Sequence, residues 1–394
     1  MRNLSTNAFS RMLQKAVSCV LASLRGATYS STIRHFACCG LAGRPFLASC
    51  GINRVGQCLC FGVLVALLVV VLGSCIPGGE TIVVIATHPN NPKILYVASN
   101  DAIYKTRDRG ESWEKQSQAF ASDRVTAIAV DPLMTSAVYV GTNGDGVYKS
   151  GDAGRTWHPF NSGLRAHVMI VGQFAFDPVD QGIAYLASTV GVYRSKNRGR
   201  DWEEWMHGMK EVHFIVSIVA HPTDRNILYA GTSGGVYKTT KGGKPWKRAI
   251  LGMLPPDDPA TSMALGVNAL AIDPQTPATV YAGTTKGLFK TTDAAKSWTR
   301  IEDRLADDFI MAVQIDSASP NILYVGHRAG IEKTTDYGET WAAMNEGLTS
   351  SNVRTLIISP HDPSLLFAGM NRGGLFRSTD GAETWVPVLG NVGS

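Results

Sequence analysis

The sequence predicts an all-β protein: a seven-bladed β-propeller of four-stranded antiparallel blades, each blade one contiguous repeat, preceded by a leader outside the ring. Three observations predict it. Seven of the eight tryptophans, Trp113, Trp157, Trp202, Trp246, Trp298, Trp341 and Trp385, close the same short phrase at spacings of 44, 45, 44, 52, 43 and 44 residues. Between them recur short runs of β-branched and aromatic residues split by Gly/Asn turns. The span from residue 80 to residue 390, about 310 residues, divided by seven returns the same period. Blades of four strands bury both faces only against their neighbours, so a set of seven is expected to close into a ring.

In chain order, residues 1–54 form a basic leader. No Asp or Glu occurs before Glu80, whereas Arg2, Arg11, Lys15, Arg25, Arg34, Arg44 and Arg54 do. Removing those seven from the 37 basic residues leaves 30 against 32 acidic ones, so the propeller is near −2 and the basic balance gives no argument for nucleic acid as a partner. All seven cysteines, Cys19 to Cys75, lie in the first 75 residues. The propeller therefore needs no disulfide and offers no thiolate to a metal.

Residues 55–79 form an apolar segment. The run from Phe61 to Leu72 follows the positive Arg54 and resembles a secretory signal. It ends in Leu72-Gly73-Ser74-Cys75, which is similar to the bacterial lipobox, where cleavage before the cysteine leaves a thiol for lipid attachment. Lipidated Cys75 would hold the propeller at a membrane surface. Three alternatives stay open: an uncleaved span from Val55 to Ile76, an organelle transit peptide followed by a second signal, and an over-extended gene start. All place the propeller outside the cytoplasm, in the cell envelope or in an organelle lumen such as the thylakoid.

Within the propeller, residues 80–390, the second repeat is the clearest. Val125 to Val130 reads as the innermost strand, ended by the turn pair Asp131-Pro132. Ala137 to Gly141 and Gly146 to Ser150 read as a hairpin, and His158 to Phe160 as the outer strand. The connecting phrase, Ser150 to Trp157, has the chemistry of a turn: Asp152 accepts backbone N–H groups, Gly154 takes a left-handed conformation, and Thr156 adds a hydroxyl bond. Trp157 supplies an apolar face for the gap between blades. The phrase is complete again around Asp108 and Trp113 and around Asp336 and Trp341. Asp293 and Asp380 keep the carboxylate while Ala295 and Ala382 replace the glycine; Asn197 replaces the aspartate in the third copy, and Lys241 and Pro245 intrude in the fourth. The first blade starts with an inner strand and the last ends with an outer one, so closure is expected to rest on side chains packed across the seam.

These phrases resemble the Asp-box, or BNR, repeat of sialidases, xyloglucanases, the sortilin ectodomain and the photosystem II stability/assembly factors, over residues 80–390. The resemblance implies a propeller; because catalytic and non-catalytic members share the motif, it leaves the Asp-box residues with a structural role.

Function is expected on the face that carries the loops between blades and the turns between second and third strands, opposite the repeated phrases. The single insertion, Leu254 to Thr261, lies there. A glycosidase needs two carboxylates across the scissile bond; Asp123, Glu211, Asp257, Asp258, Asp307 and Asp308 supply the residue type, but nothing singles out a pair. His167, His213 and His327 lack the local spacing of a metal site. Arg124, Arg165, Arg328, Arg354 and Arg372 map to this rim, and guanidinium groups recognise carboxylates or phosphates through paired hydrogen bonds. The expectation is a non-catalytic, membrane-tethered binding propeller without cofactor or metal, taking a protein segment or a glycan at its rim and similar to the photosystem assembly factors. A glycoside hydrolase is the rival reading.

Overall fold

Each repeat folds as one antiparallel sheet of four sequential strands, and successive inner strands touch one another all the way round, the seventh meeting the first. The protein is a seven-bladed β-propeller. The computed structural model describes residues 79–100, 102–116, 125–165, 169–180, 182–209, 212, 214–254, 265–306 and 308–390. Inner strands run Ile82–Thr87, Val125–Val130, Val171–Phe176, Ile215–Ala220, Val267–Ile272, Ile310–Ile315 and Val353–Ser359 in blades 1 to 7. Outer strands are only two to four residues long and mostly exposed, which leaves little free edge for another chain to pair with.

The second strand of each blade carries the packing. Leu95–Ser99, Val138–Thr142, Ala184–Ser188, Leu228–Thr232, Val280–Thr284 and Leu323–His327 are buried along their whole length. Their fourth residue is Ala or Gly because the next blade's inner strand lies directly against it: a methyl on Gly141 would strike Val171, and one on Gly369 of blade 7 would strike Ile82 of blade 1. The seventh interface thus repeats the geometry of the others, and the ring is closed by the same close approach.

The repeated phrase is built as its chemistry predicts. Asp152 Oδ1 accepts from the N–H groups of Arg155 (3.0 Å) and Thr156 (2.8 Å), and its Oδ2 from the Thr156 hydroxyl (2.6 Å). Ser150 Oγ donates to Asp152 Oδ1 at 2.8 Å and accepts from Gly154 N at 2.8 Å. The residue before the glycine is also left-handed, at φ 63° in Arg109, 61° in Ala153 and 61° in Tyr337. That conformation turns its carbonyl outward, and the preceding blade captures it. Tyr96 Oη and Lys105 Nζ donate to Ala153 O at 3.1 and 2.9 Å, Tyr139 and Lys149 to Arg198 O, Tyr281 and Lys290 to Tyr337 O, and Tyr324 and Lys333 to Gly381 O.

The tryptophans fill the gaps between blades, and most are also tied by hydrogen bonds. Trp202, Trp246, Trp298 and Trp385 donate Nε1–H to carbonyls of the preceding blade's outer strand or the residue after it at 2.8–3.0 Å. In the same four interfaces the tryptophan N–H reaches the loop after that strand, accepted by Ser162, His207, Leu251 and Glu346.

Closure departs from the expectation of side-chain packing alone. Gly374 N donates to Glu80 O at 2.8 Å and Glu80 N to Gly390 O at 2.9 Å, so main chain preceding the first strand is stitched to blade 7. Arg377 also donates to Arg109 O at 3.1 Å, and Arg109 pairs with Asp362 at 3.2 Å. The leader and the apolar segment up to residue 78, Cys75 included, lie outside the described residues.

Candidate functional site

The inner strands share one irregularity that sets the geometry of the axis. In every blade the pairing of first and second strands skips the second residue of the inner strand: Val83, Thr126, Gly172, Val216, Asn268, Met311 and Arg354. A bulge of this kind frees one residue from the ladder and re-aims it. All seven line an axial cavity of about 390 Å³, together with residues of the following positions such as Gln173, Ser217 and Thr355.

The polar groups in this cavity are unequally satisfied. Gln173 Oε1 accepts from Ser217 Oγ at 3.0 Å and Ile218 N at 2.9 Å, and Asn268 donates to Ile310 O at 2.9 Å, so these two tie neighbouring blades. Thr126 Oγ1 is buried with no hydrogen-bond partner among the described residues. Arg354 is the single charged residue in the described lining, and no carboxylate among the described residues pairs with it. Burial lowers its guanidinium pKa from the ordinary value, a sign of incomplete solvation at the cavity wall.

The two loop sets predicted to share a face do so. On this face the turns between second and third strands are bonded to the segments preceding inner strands: within one blade Ser233 N donates to Phe214 O (3.2 Å), Thr285 N to Gly266 O (2.9 Å) and Asn371 N to Asn352 O (2.9 Å), and across to the next blade Gly144 N donates to Met169 O (2.9 Å). Arg328 and Arg372 stand in these turns in blades 6 and 7, both exposed. The Arg328 guanidinium lies 4.6 Å from the Phe309 ring centroid, a stacking that holds the cation in place. Arg372 is left-handed at φ 66°, and its N–H donates to Thr81 Oγ1 at 3.1 Å.

Arg165 does not join them. It pairs at 2.8 Å with Glu204 of the outer strand of blade 3, at the circumference. Arg124 lies outside the described residues, as do Asp123, Glu211, Asp257, Asp258, Asp307, His167 and His213. Asp308 is committed to His327 Nδ1 and to the N–H of Phe309 at 2.6 Å. His327 is buried, with Nε2 at 4.0 Å from the buried Glu332, which Arg304 reaches at 3.3 Å. Among the described residues no group of three or more His, Cys, Asp or Glu side chains could hold a metal ion. The described lining of the axial cavity holds no carboxylate or imidazole, and its charged group is the Arg354 guanidinium.

No family model matches the chain. It is similar to an oligoxyloglucan-reducing end-specific xyloglucanase of Emericella nidulans, at 27% identity over 127 residues, which is 28% of this chain and 16% of that protein. Among solved structures it resembles an ancestral GH74 enzyme, with a TM-score of 0.64 and 20% identity over 78% of this chain and 46% of that one. It also resembles YCF48 bound to a D1 peptide, with a TM-score of 0.55 and 15% identity over 77% of this chain and 94% of that one. The chain thus spans less than half of the xyloglucanase and of the GH74 enzyme. At these identities the likeness shows the propeller fold.

Proposed function

We propose that this protein is a non-catalytic binding propeller, held at a membrane outside the cytoplasm through residues 55–79, whose loop face captures an anionic segment of a partner protein. One observation carries the reading: Arg354 stands in the axial cavity with no anion of its own among the described residues, on the side of the ring that also presents Arg328 and Arg372. A guanidinium half removed from water gains most from a carboxylate or phosphate that completes its hydrogen bonds. A solved propeller that covers nearly its whole length with this chain is described with a bound peptide, which supports a peptide as the class of ligand. An assembly factor acting on a membrane protein fits that reading.

The rival is a glycan-binding or glycoside-hydrolysing propeller, and the xyloglucanase similarity favours it. One experiment separates them. The full chain, with Arg328, Arg354 and Arg372 intact or all changed to Glu, is crosslinked in a detergent-solubilised membrane fraction, and its partners are identified by mass spectrometry. A membrane protein captured by the native chain and lost from the triple variant, with circular dichroism unchanged, is the expected result. Retention of polysaccharide by both proteins, or sugar release from a glycan panel, would move the assignment to the rival.

A further inference from the structure

The seven repeats act as internal controls for one another, and blade 4 departs from them in charge. Where six blades place Asp or Asn in the phrase, blade 4 has Lys241; where they place a residue that can donate its N–H to that side chain, it has Pro245, which has none. Acceptor and donor have been lost together, so the turn survives without its carboxylate. Thr239 Oγ1 still accepts from Lys241 N at 3.2 Å and Gly243 N at 2.9 Å. The neighbouring blade compensates for the altered turn: Trp205 Nε1 donates to Gly242 O.

What the exchange leaves is a concentration of positive charge. The stretch from Lys238 to Arg248 contains Lys238, Lys241, Lys244, Lys247 and Arg248 and no acidic residue. Four of the five, with Thr240, Pro245 and Ala249, line a cavity of about 200 Å³. None of the five forms an ion pair among the described residues. Lys238 donates to Ala294 O at 2.6 Å, and Arg248 donates Nε and Nη2 to Gly234 O at 3.1 and 2.9 Å, which orients both stems and leaves further N–H groups on each. Lys241 and Lys247 are exposed. The facing acid, Asp293 of blade 5, is occupied by Thr291, Ser297 and the backbone of its own turn.

We propose that this cavity is a second binding site, selective for a phosphate or sulfate monoester, placed on the outer part of blade 4 and separate from the axial cavity. Ammonium groups on the residues lining a small hollow match a tetrahedral oxyanion, whose charge and three free oxygens take several N–H donors at once. The site needs neither Arg354 nor the membrane tether.

The test rebuilds the consensus turn. Lys241→Asp with Pro245→Thr restores both the acceptor and its donors while reversing the charge at position 241, and Lys115→Asp makes the same charge change on the exposed outer strand of blade 1. Full chains are titrated at fixed ionic strength with inorganic phosphate, with a sulfated disaccharide, and with vesicles containing phosphatidic acid. At least tenfold weaker binding of one or more probes in the rebuilt chain, with the Lys115 and Arg354→Gln variants unchanged, supports the site, and the probe affected identifies its source. Lys247→Ala, at an exposed position, is expected to shift binding in the same direction without touching the turn. Equal binding by native and rebuilt chains, or no saturable binding by the native chain, overturns the proposal.

Discussion

Among the described residues no aspartate of the repeated phrase forms an ion pair; hydroxyls and backbone N–H groups hold its charge. Asp336 shows the consequence. Hydrogen bonds from Thr334 and Thr340, then the Thr340 backbone, pull its carboxyl down to about 2. A carboxyl that binds its proton more weakly in the native state than in the unfolded chain stabilises the fold at pH values above the ordinary carboxylate value of about 4, and that contribution disappears as pH falls toward about 2. Asp336→Ala should therefore melt at a lower temperature than the native chain at pH 7, with the gap closing between pH 4 and pH 2. Circular dichroism melts at pH 7, 4, 3 and 2 check this; a gap independent of pH would mean that the carboxylate's charge contributes nothing. The same local bonds explain why this residue was readable in advance: all its partners lie within four positions of it.

Contacts between elements were harder to read. Tryptophan spacing exposes the blades because the same bulky ring recurs at the same place, yet the segment that receives each ring has no such marker. Gly347 stands there with φ 86°, and a methyl on it would collide with the Trp385 carbonyl oxygen; Gly163, Gly208 and Gly252 meet Trp202, Trp246 and Trp298 in the same way. Gly347→Ala should destabilise the protein by about 1–3 kcal/mol, the usual cost of a strained backbone position, whereas Gly151→Ala, which faces open space, should be near neutral. Urea titrations of the two variants decide it, and equal midpoints would remove the argument. The arginines follow the same logic. Period-two alternation in an inner strand does not announce that its second residue is bulged, so Arg354 was legible as a rim cation but not as the wall of a cavity. Arg165 looked equivalent in sequence and is taken by Glu204, 39 positions away.

Over the whole ring, six interfaces join blades that follow each other in sequence and one joins the chain's two ends. At four of the sequential interfaces the outward-turned carbonyl receives both a tyrosine hydroxyl and a lysine ammonium, as Gly381 O does from Tyr324 at 3.1 Å and Lys333 at 2.9 Å. The seam has Phe367 where the tyrosine stands and Arg377 where the lysine does, so among the described residues Arg109 O receives a side-chain donor from Arg377 alone. Phe367 packs edge-on against Trp113 at 6.4 Å between centroids and lies against Gly110 in the same turn, within reach of where a hydroxyl would be needed. The bonds of Glu80 to Gly374 and Gly390 and the Arg109–Asp362 pair offset part of this loss. Among the described residues the two interfaces of blade 4 also have one such donor each, Trp205 to Gly242 O and Lys238 to Ala294 O, but continuous chain joins their blades and none joins blade 7 to blade 1, so opening at the seam frees blades 1 and 7 without disturbing the packing of blades 3 to 5. Native-state hydrogen exchange should then find the protected amides of Ile82–Thr87 and Val353–Ser359 opening at lower free energy than those of Ile215–Ala220. Phe367→Tyr should restore the missing donor, raise stability by about 1 kcal/mol, and slow exchange in blades 1 and 7 while leaving blade 4 unchanged. If the substitution slows exchange evenly round the ring, or not at all, the seam is as strong as its neighbours and opening begins elsewhere.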